Sequence, residues 1–491
     1  MFMQTQELNH QVEAELISPP FDITEYYIDN HAIFTTIDQI DQKLLAKFSQ
    51  VKRFKELWQM DVQFRQQVST HPHHAFVRHG LKLHPEDVRP IWDEDCNSKW
   101  EQGILEFPLL KMSNEFFARL DYITNLHLKT APNNIYIQQW RERQIARTAS
   151  QFQPLVNQIV VHAPVSFELC KGCSVGCRFC GVSAPPLTEI FFYTPENAKL
   201  WREVLEVMTG FLGTAAGNGF CYWATDPLDN PDYEKFCLDF HAITGFFPQT
   251  TTSQPLKYPD RLRSILKLSR ERNGICNRFS ILSLKMFEKV HTEFSAEELL
   301  KVQLLYLNDE AENAHKAHAG RQREANLQKS QGDEEPHVQG TIACVSGFLF
   351  NMVERSVKLI SPCNANERWP LGYIVYDQGT FVDADDLKSL IERMIRDNMP
   401  QTVRLGDVLR FRPDLKYEAL VDGFQLSTHV KTFKFRHDSL WKQLGVLIHQ
   451  GNHTTAEITQ FFTNKGVLST QTSYYLNLLF ERGVLDSEPQ I

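Results

Sequence analysis

From Asp41 to Thr70 apolar residues return every three or four positions, among them Leu44, Phe48, Val51, Phe54 and Leu57. That spacing gathers them on one side of a helix. The pattern breaks at His71-Pro-His-His74, and a polar turn around Gly80 follows. Helical spacing returns between Lys99 and Ala149, in "NEFFARLDYITNLHLK" and "YIQQWRERQIARTA". Residues 1–45 are weakly periodic and read as a flexible extension. We divide the N-terminal part into that extension, a helical segment 46–95 and a helical region 96–159.

Near Val160 the period changes. Short apolar runs ("VSFEL", "GFCYWAT", "FFPQTTTS", "RFSILSL", "TIACVSGF", "VKLISPC") read as strands. Amphipathic stretches such as "TPENAKLWREVLEVMTGFL", "PDRLRSILKLSRER" and "SAEELLKVQLLYL" lie between them. Such alternation predicts parallel strands with right-handed crossovers. The expected fold class is α/β, with a partial (β/α)6 barrel over 160–398. Barrels of this kind place their chemistry at the C-terminal ends of the strands. A polar insertion, 308–340, has too few apolar residues for a core and reads as a disordered insertion or a lid without a specific catalytic residue. Residues 399–491 read as strands and turns, then three helices, a winged-helix-like arrangement. Thr454 and Ser469 are expected N-caps, with Glu457 in capping-box position after Thr454. Gly445 interrupts the first of these helical patterns.

A chain of 491 residues suggests several domains and can bury a core without disulfides. No run reaches the roughly 18 apolar residues of a membrane span. The first 20 residues lack the basic-then-apolar order of a secretory signal. A reducing cytoplasm is therefore expected, and there clustered cysteines more often bind metal or react than pair. The net charge of −9 argues against a dedicated nucleic-acid binder.

Four of the ten cysteines fall in "ELCKGCSVGCRFCGVSAPP", at Cys170, Cys173, Cys177 and Cys180. A four-cysteine zinc site has the right ligand count, but zinc ribbons separate their two pairs by a longer loop. The last three, in the order Cys-x3-Cys-x2-Cys, can instead hold three irons of a [4Fe-4S] cluster and leave the fourth open. Cys170 then reads as a packed thiol on the strand end. Phe179 stands just before the last cysteine, placed to pack against a flat ligand.

This motif, after strand one of a partial barrel, resembles that of the radical S-adenosylmethionine enzymes. The resemblance implies Cys173, Cys177 and Cys180 as cluster ligands and S-adenosyl-L-methionine as the second cofactor. It also implies a 5′-deoxyadenosyl radical, and hence an external electron donor. Family members usually carry a small-Gly-Glu run after strand two. Here the position reads "YWATDP", where Thr225 and Asp226 could accept hydrogen bonds from an ammonium or simply open a turn. Thr252, Ser280 and Ser283 lie near the ends of strands three and four, as hydroxyls suited to ribose and carboxylate contacts.

The remaining cysteines are scattered, which counts against auxiliary clusters. Cys363 ends the sixth expected strand, where a lone thiol could return a hydrogen atom; Cys344 is the competing candidate. The run from "ELCKGCSVGCRFCGVSAPP" through "YWATDPLDNPDY" to "ISPCNANERWPLGY", within about Arg141 to Leu387, is similar to the radical S-adenosylmethionine peptide epimerases of proteusin-type ribosomal peptide maturation. That implies Cα hydrogen abstraction, hydrogen return from Cys363, and L-to-D conversion in the core of a precursor peptide.

Two flanks suit a peptide substrate. Residues 61–95 are similar to nitrile-hydratase-like leader segments, carried by Phe64-Arg65, Pro72, Ala75, Gly80-Leu81 and Leu83-x-Pro85. They read either as a built-in leader copy or as a helical domain sharing a turn. The C-terminal region is similar to winged-helix elements that bind a leader along a sheet edge. A DNA-binding winged helix is the alternative, but "STQTSYYLNLLFERG" has one Arg and no Lys for phosphates. Other readings left open are a carbon–carbon crosslinking radical enzyme and a zinc-bound peptide-binding or regulatory protein.

Overall fold

The computed structural model describes residues 21, 41–274, 276–308, 311, 316–329, 340–436 and 439–489. The expected extension 1–45 lies almost wholly outside the described residues, as does much of the insertion 308–340. The chain is a mixed α/β protein in two compact units, each discontinuous in sequence. One comprises Met1–His127 with Thr250–His315, the other Leu128–Gln249 with Lys316–Ile491. The stretch 160–398 therefore contributes to both.

The strands in chain order are β1 (Ala163–Glu168), β2 (Cys170–Lys171), β3 (Glu189–Ile190), β4 (Thr251–Thr252), β5 (Asn277–Ile281), β6 (Val302–Tyr306) and β7 (Val345–Asn351). They continue as β8 (Ser356–Pro362), β9 (Tyr373–Thr380), β10 (Val408–Leu409), β11 (Lys416–Leu420), β12 (Gly423–Ser427), β13 (Thr432–Arg436) and β14 (His453–Thr454).

In the first unit β4, β5 and β6 form a parallel sheet. Its core joins Phe279, Ile281 and Leu304 to Phe48, Phe54, Phe64, Phe76 and Phe116 from the N-terminal helices. The first helix, Gln42–Met60, is capped by Asp41, whose side chain accepts the Lys43 amide; the next, Val62–Thr70, is capped by Asp61. One expectation is corrected here. "VQLLY" is strand β6, not the end of a helix, because Val302 and Leu304 turn inward on alternate positions. A short apolar run carries too few positions to separate the two periods.

In the second unit the sheet order is β1-β7-β8-β9. β1 and β7 are parallel, from Ala163 opposite Val345 to Glu168 opposite Asn351. A bridge from Ser166 to Phe220 places the "GFCYW" run beside the other edge of β1. One face carries Phe167, edge-on to Trp201 at 4.9 Å and stacked on Phe350 at 5.1 Å. The opposite face gathers Val345, Leu349, Ile360 and Tyr373 with Phe220, Tyr222 and Trp223.

A second correction concerns β8, which was expected to be parallel. It runs antiparallel to β7, and β9 antiparallel to β8. The connection Met352–Arg355 is a tight turn with Arg355 at φ 49°, and a crossover would need a dozen residues or more.

Residues from Leu409 to Leu485 form their own core. The antiparallel sheet β11-β12-β13 packs beneath the helices Ser439–Gln450, Thr455–Thr463 and Ser469–Glu481. Gly445 sits inside the first because a Cβ there would meet the Phe424 ring at 2.4 Å. Thr454 and Glu457 form the expected capping box. Ser469 does not cap its helix: the N-cap is Leu468, which makes no side-chain capping bond.

Candidate functional site

β1 delivers the chain to Glu168, and the loop that follows is closed at its base by antiparallel pairing of β2 with β3. Gly172 makes the first bend at φ 87°, where a Cβ would lie 2.2 Å from the Pro186 carbonyl oxygen, so only glycine fits. Cys173 donates its backbone N–H to Pro185 at 2.9 Å. Gly176, at φ 65°, turns the chain toward Cys177, and the Cys180 Sγ accepts the Ala184 N–H at 3.4 Å. The loop is thus a closed hairpin-like ear with its three cysteines half-buried and its thiols free.

Polar side chains absent from the expected site clamp this ear. The Asp229 carboxylate accepts the Ser174 N–H at 2.9 Å and the Ser174 hydroxyl at 2.5 Å. Asn230 donates to the carbonyls of Leu169 at 3.0 Å and Phe191 at 2.8 Å, tying both strands of the base. Glu168 accepts the Ala224 N–H at 2.9 Å and the Asn351 amide at 3.0 Å, and burial raises its pKa. The signal for Asp229 and Asn230 was the carboxylate-, amide- and proline-rich composition of "TDPLDNPDY", which favours side-chain-to-backbone bonds. Their long-range targets had no sequence signal.

Cys170 is buried against Thr225, whose buried hydroxyl has no well-formed hydrogen bond; burial pushes the Cys170 thiol up to about 12. Asp226 is buried and its carboxylate accepts the Leu228 N–H at 3.0 Å, so it opens the turn Pro227–Asp229. Its charge also reaches Cys173 and Cys177, which places the "YWATDP" turn beside the loop. Burial pushes Cys173 up to about 11 and raises Cys177. Lys316 stands over the Phe179 ring at 5.0 Å. Among the described residues no group of three or more His, Cys, Asp or Glu side chains is gathered as a single-ion metal site. Ligands of one zinc ion must converge to about 2.3 Å of a common centre, whereas each thiolate of a cubane cluster binds its own iron.

The other expected contacts, Thr252, Ser280 and Ser283, belong to the first unit. Thr252 accepts the Gln254 N–H at 2.9 Å and Ser283 caps the helix Leu284–Glu293 through the Met286 N–H at 3.2 Å. Local backbone roles thus engage both hydroxyls. Ser280 is buried within β5 between Phe279 and Ile281.

Because β8 is antiparallel, Cys363 follows its end at the sheet edge where β1 begins, not the edge from which the loop emerges. It is 3% exposed, and burial pushes its thiol up to about 12 despite the nearby Arg147. Arg147 donates to the Ser361 hydroxyl at 2.9 Å and the Pro362 carbonyl at 2.6 Å. The outer half of the loop doubles back toward this edge. The Arg321 N–H donates to the Cys180 carbonyl at 3.0 Å, the Gly320 N–H to Pro370 at 2.8 Å, and the Cys363 N–H to Gly372 at 2.9 Å. Backbone contacts thereby connect the Cys180 and Cys363 regions. Cys344 is half-buried and its carbonyl accepts the Ala163 N–H at 2.7 Å.

With this geometry in hand, relatives are informative. The chain is 35% identical over 454 residues to "Uncharacterized protein y4wI" of Sinorhizobium fredii (strain NBRC 101917 / NGR234). The alignment covers 90% of this chain and 87% of the relative. The chain belongs to the y4wI family. Residues 409–483 match the model of the y4wI C-terminal domain, which coincides with the compact core of strands β11–β13 and the three last helices. No solved structure matches. No helix among the described residues is long and apolar enough to cross a membrane.

Proposed function

We propose that this y4wI-family chain is a radical S-adenosylmethionine enzyme that epimerises residues of a ribosomally made peptide. The observation that carries the reading is the ear itself. Three cysteines outside any disulfide stand on one glycine-bent loop after the parallel strand β1, with its base held by Asn230 and Ser174 held by Asp229. A donor set of three thiols suits a cluster with one open iron. Cys173, Cys177 and Cys180 would hold it; when bound, cluster and S-adenosylmethionine supply the oxidant that removes a substrate Cα hydrogen. Thr225 and Asp226, on the turn beside the loop, offer a hydroxyl and a carboxylate suited to an ammonium group.

Hydrogen return is assigned to Cys363. Its S–H bond breaks, the hydrogen atom joins the opposite face of the Cα radical, and an external one-electron donor with a proton restores the thiol. Since Cys363 is 3% exposed, the residues that enclose it would have to open for substrate. Among the described residues β11 and β13 are the edges of the sheet β11-β12-β13, where a leader could add as a strand. Residues 61–95 are spent on the core of the first unit, which favours a fixed structural module over a displaceable leader copy.

The test is anaerobic reconstitution followed by reduction with S-adenosylmethionine, then co-expression with a precursor in deuterated water. The expected results are iron uptake, 5′-deoxyadenosine, and one deuterium per D-residue. A crosslinking enzyme would lose two hydrogens per modification instead. A chain holding zinc and forming no deoxyadenosine overturns the proposal. Cys363→Ala should still form deoxyadenosine while yielding no D-residues.

A further inference from the structure

We infer that the described part of the 308–340 insertion, Lys316–Lys329, is a cap on the outer half of the cysteine loop, and that Arg321 is the positioning residue that fastens it. The inference rests on the proposed cluster only for the purpose the cap serves, not for its existence.

Arg321 grips the turn that follows the last cysteine from both ends. Its backbone N–H donates to the Cys180 carbonyl at 3.0 Å, and its guanidinium Nη2 donates to the Ala184 carbonyl at 2.7 Å. Gly320 lies so close to this turn that a Cβ would stand 2.6 Å from the carbonyl oxygens of Cys180 and Gly181. Its φ of 52° also favours glycine, so the sequence here is fitted to a close approach of two backbones. The cap has its own anchors. Gly320 donates to the Pro370 carbonyl at 2.8 Å, Ala319 is wholly buried, and buried His318 pairs through Nδ1 with the Asn326 amide at 3.0 Å. Lys316 covers the Phe179 ring. A polar insertion reaching over a thiol loop only to bury glycine and alanine against it is not a solvated spacer.

The two halves of the loop are therefore held by different means. Asp229 and Asn230 hold the inner half around Cys173 and Ser174. Among the described residues, Arg321 bonds to the half that carries Cys177 and Cys180, and Ile342 packs close to Gly181.

The experiment uses the full-length chain without iron, alkylated by iodoacetamide and read by peptide mass spectrometry. Thiol reactivity follows access and thiolate character, so removing the cap in Arg321→Gln or Gly320→Ala should speed labelling of Cys177 and Cys180 by about tenfold. Cys173 should label at its wild-type rate. Cys221 and Cys237, both fully buried, report global unfolding. Equal acceleration there would make the segment a general stability element and overturn the inference, as would unchanged rates at Cys177 and Cys180. A wild-type chain that takes up no iron sinks the proposed function but leaves the alkylation result standing.

Discussion

In residues 61–95 the side chains that mark the motif are spent on packing. Phe64, Ala75 and Leu83 are wholly buried in the core of the first unit, and Pro85 is buried with them. Even Arg65 is turned to the backbone, donating to the Trp58 carbonyl at 2.5 Å. In residues 170–186 the reverse holds. The backbone is over-determined by Gly172, Asp229 and Asn230, while the side chains of Cys173, Cys177 and Cys180 are left half-exposed and unpaired. The difference separates a motif that builds a core from one that presents chemistry. A side chain already enclosed by hydrophobic neighbours cannot also serve a partner without unfolding its surroundings. Within the same stretch the exposed side chains His71, His73 and His74 stand apart from this core.

The strongest attack on this comparison is to empty the core of the first region. Phe64→Ala or Phe76→Ala should destabilise the protein by about 3–5 kcal/mol, the cost of deleting a fully buried aromatic ring. Denaturant titration measures it, and a loss under about 1 kcal/mol would return residues 61–95 to the status of a docked, removable segment. Next is the clamp of the second region. Asn230→Ala removes two buried hydrogen bonds and takes the side-chain donor from the Phe191 carbonyl, and should cost about 2–3 kcal/mol. Hydrogen exchange should show the loss at β2 and β3, with the first unit unchanged; uniform loosening would deny that the loop is separately fastened.

Acid probes the strand that feeds the loop. His162 is buried at the start of β1, bonded through Nδ1 to the Ser346 hydroxyl at 2.8 Å, and burial beside Arg141 and Arg147 pushes its pKa down to about 3. Between pH 6.5 and 3 the unfolded chain binds a proton that the folded chain refuses. Stability contributed by this group is therefore lost on acidification, by about 1.4 kcal/mol per pH unit below 6.5. Urea midpoints measured against pH should show this slope, and His162→Gln should remove it. The smallest effect belongs to Ser174→Ala, which deletes one of two bonds to Asp229 and should cost about 0.5–1.5 kcal/mol. If it costs as much as Asn230→Ala, the hydroxyl rather than the strand base is what fixes the loop.

By itself the sequence determined the elements with a long or local signature. Helical spacing over 41–70 produced the helices Gln42–Met60 and Val62–Thr70, and Thr454 with Glu457 produced their capping box. The Cys-x3-Cys-x2-Cys spacing after "VSFEL" was legible because a strand end and thiol spacing are both local. Only the tertiary structure decided the direction of β8, the strand character of β6 and the partners of Asp229, Asn230 and Arg321. A five-residue apolar run satisfies either period, and the orientation of a strand follows from its turn and its neighbours. Long-range hydrogen bonds leave no spacing to read. They form because buried polar groups must find partners wherever the fold brings donors and acceptors together.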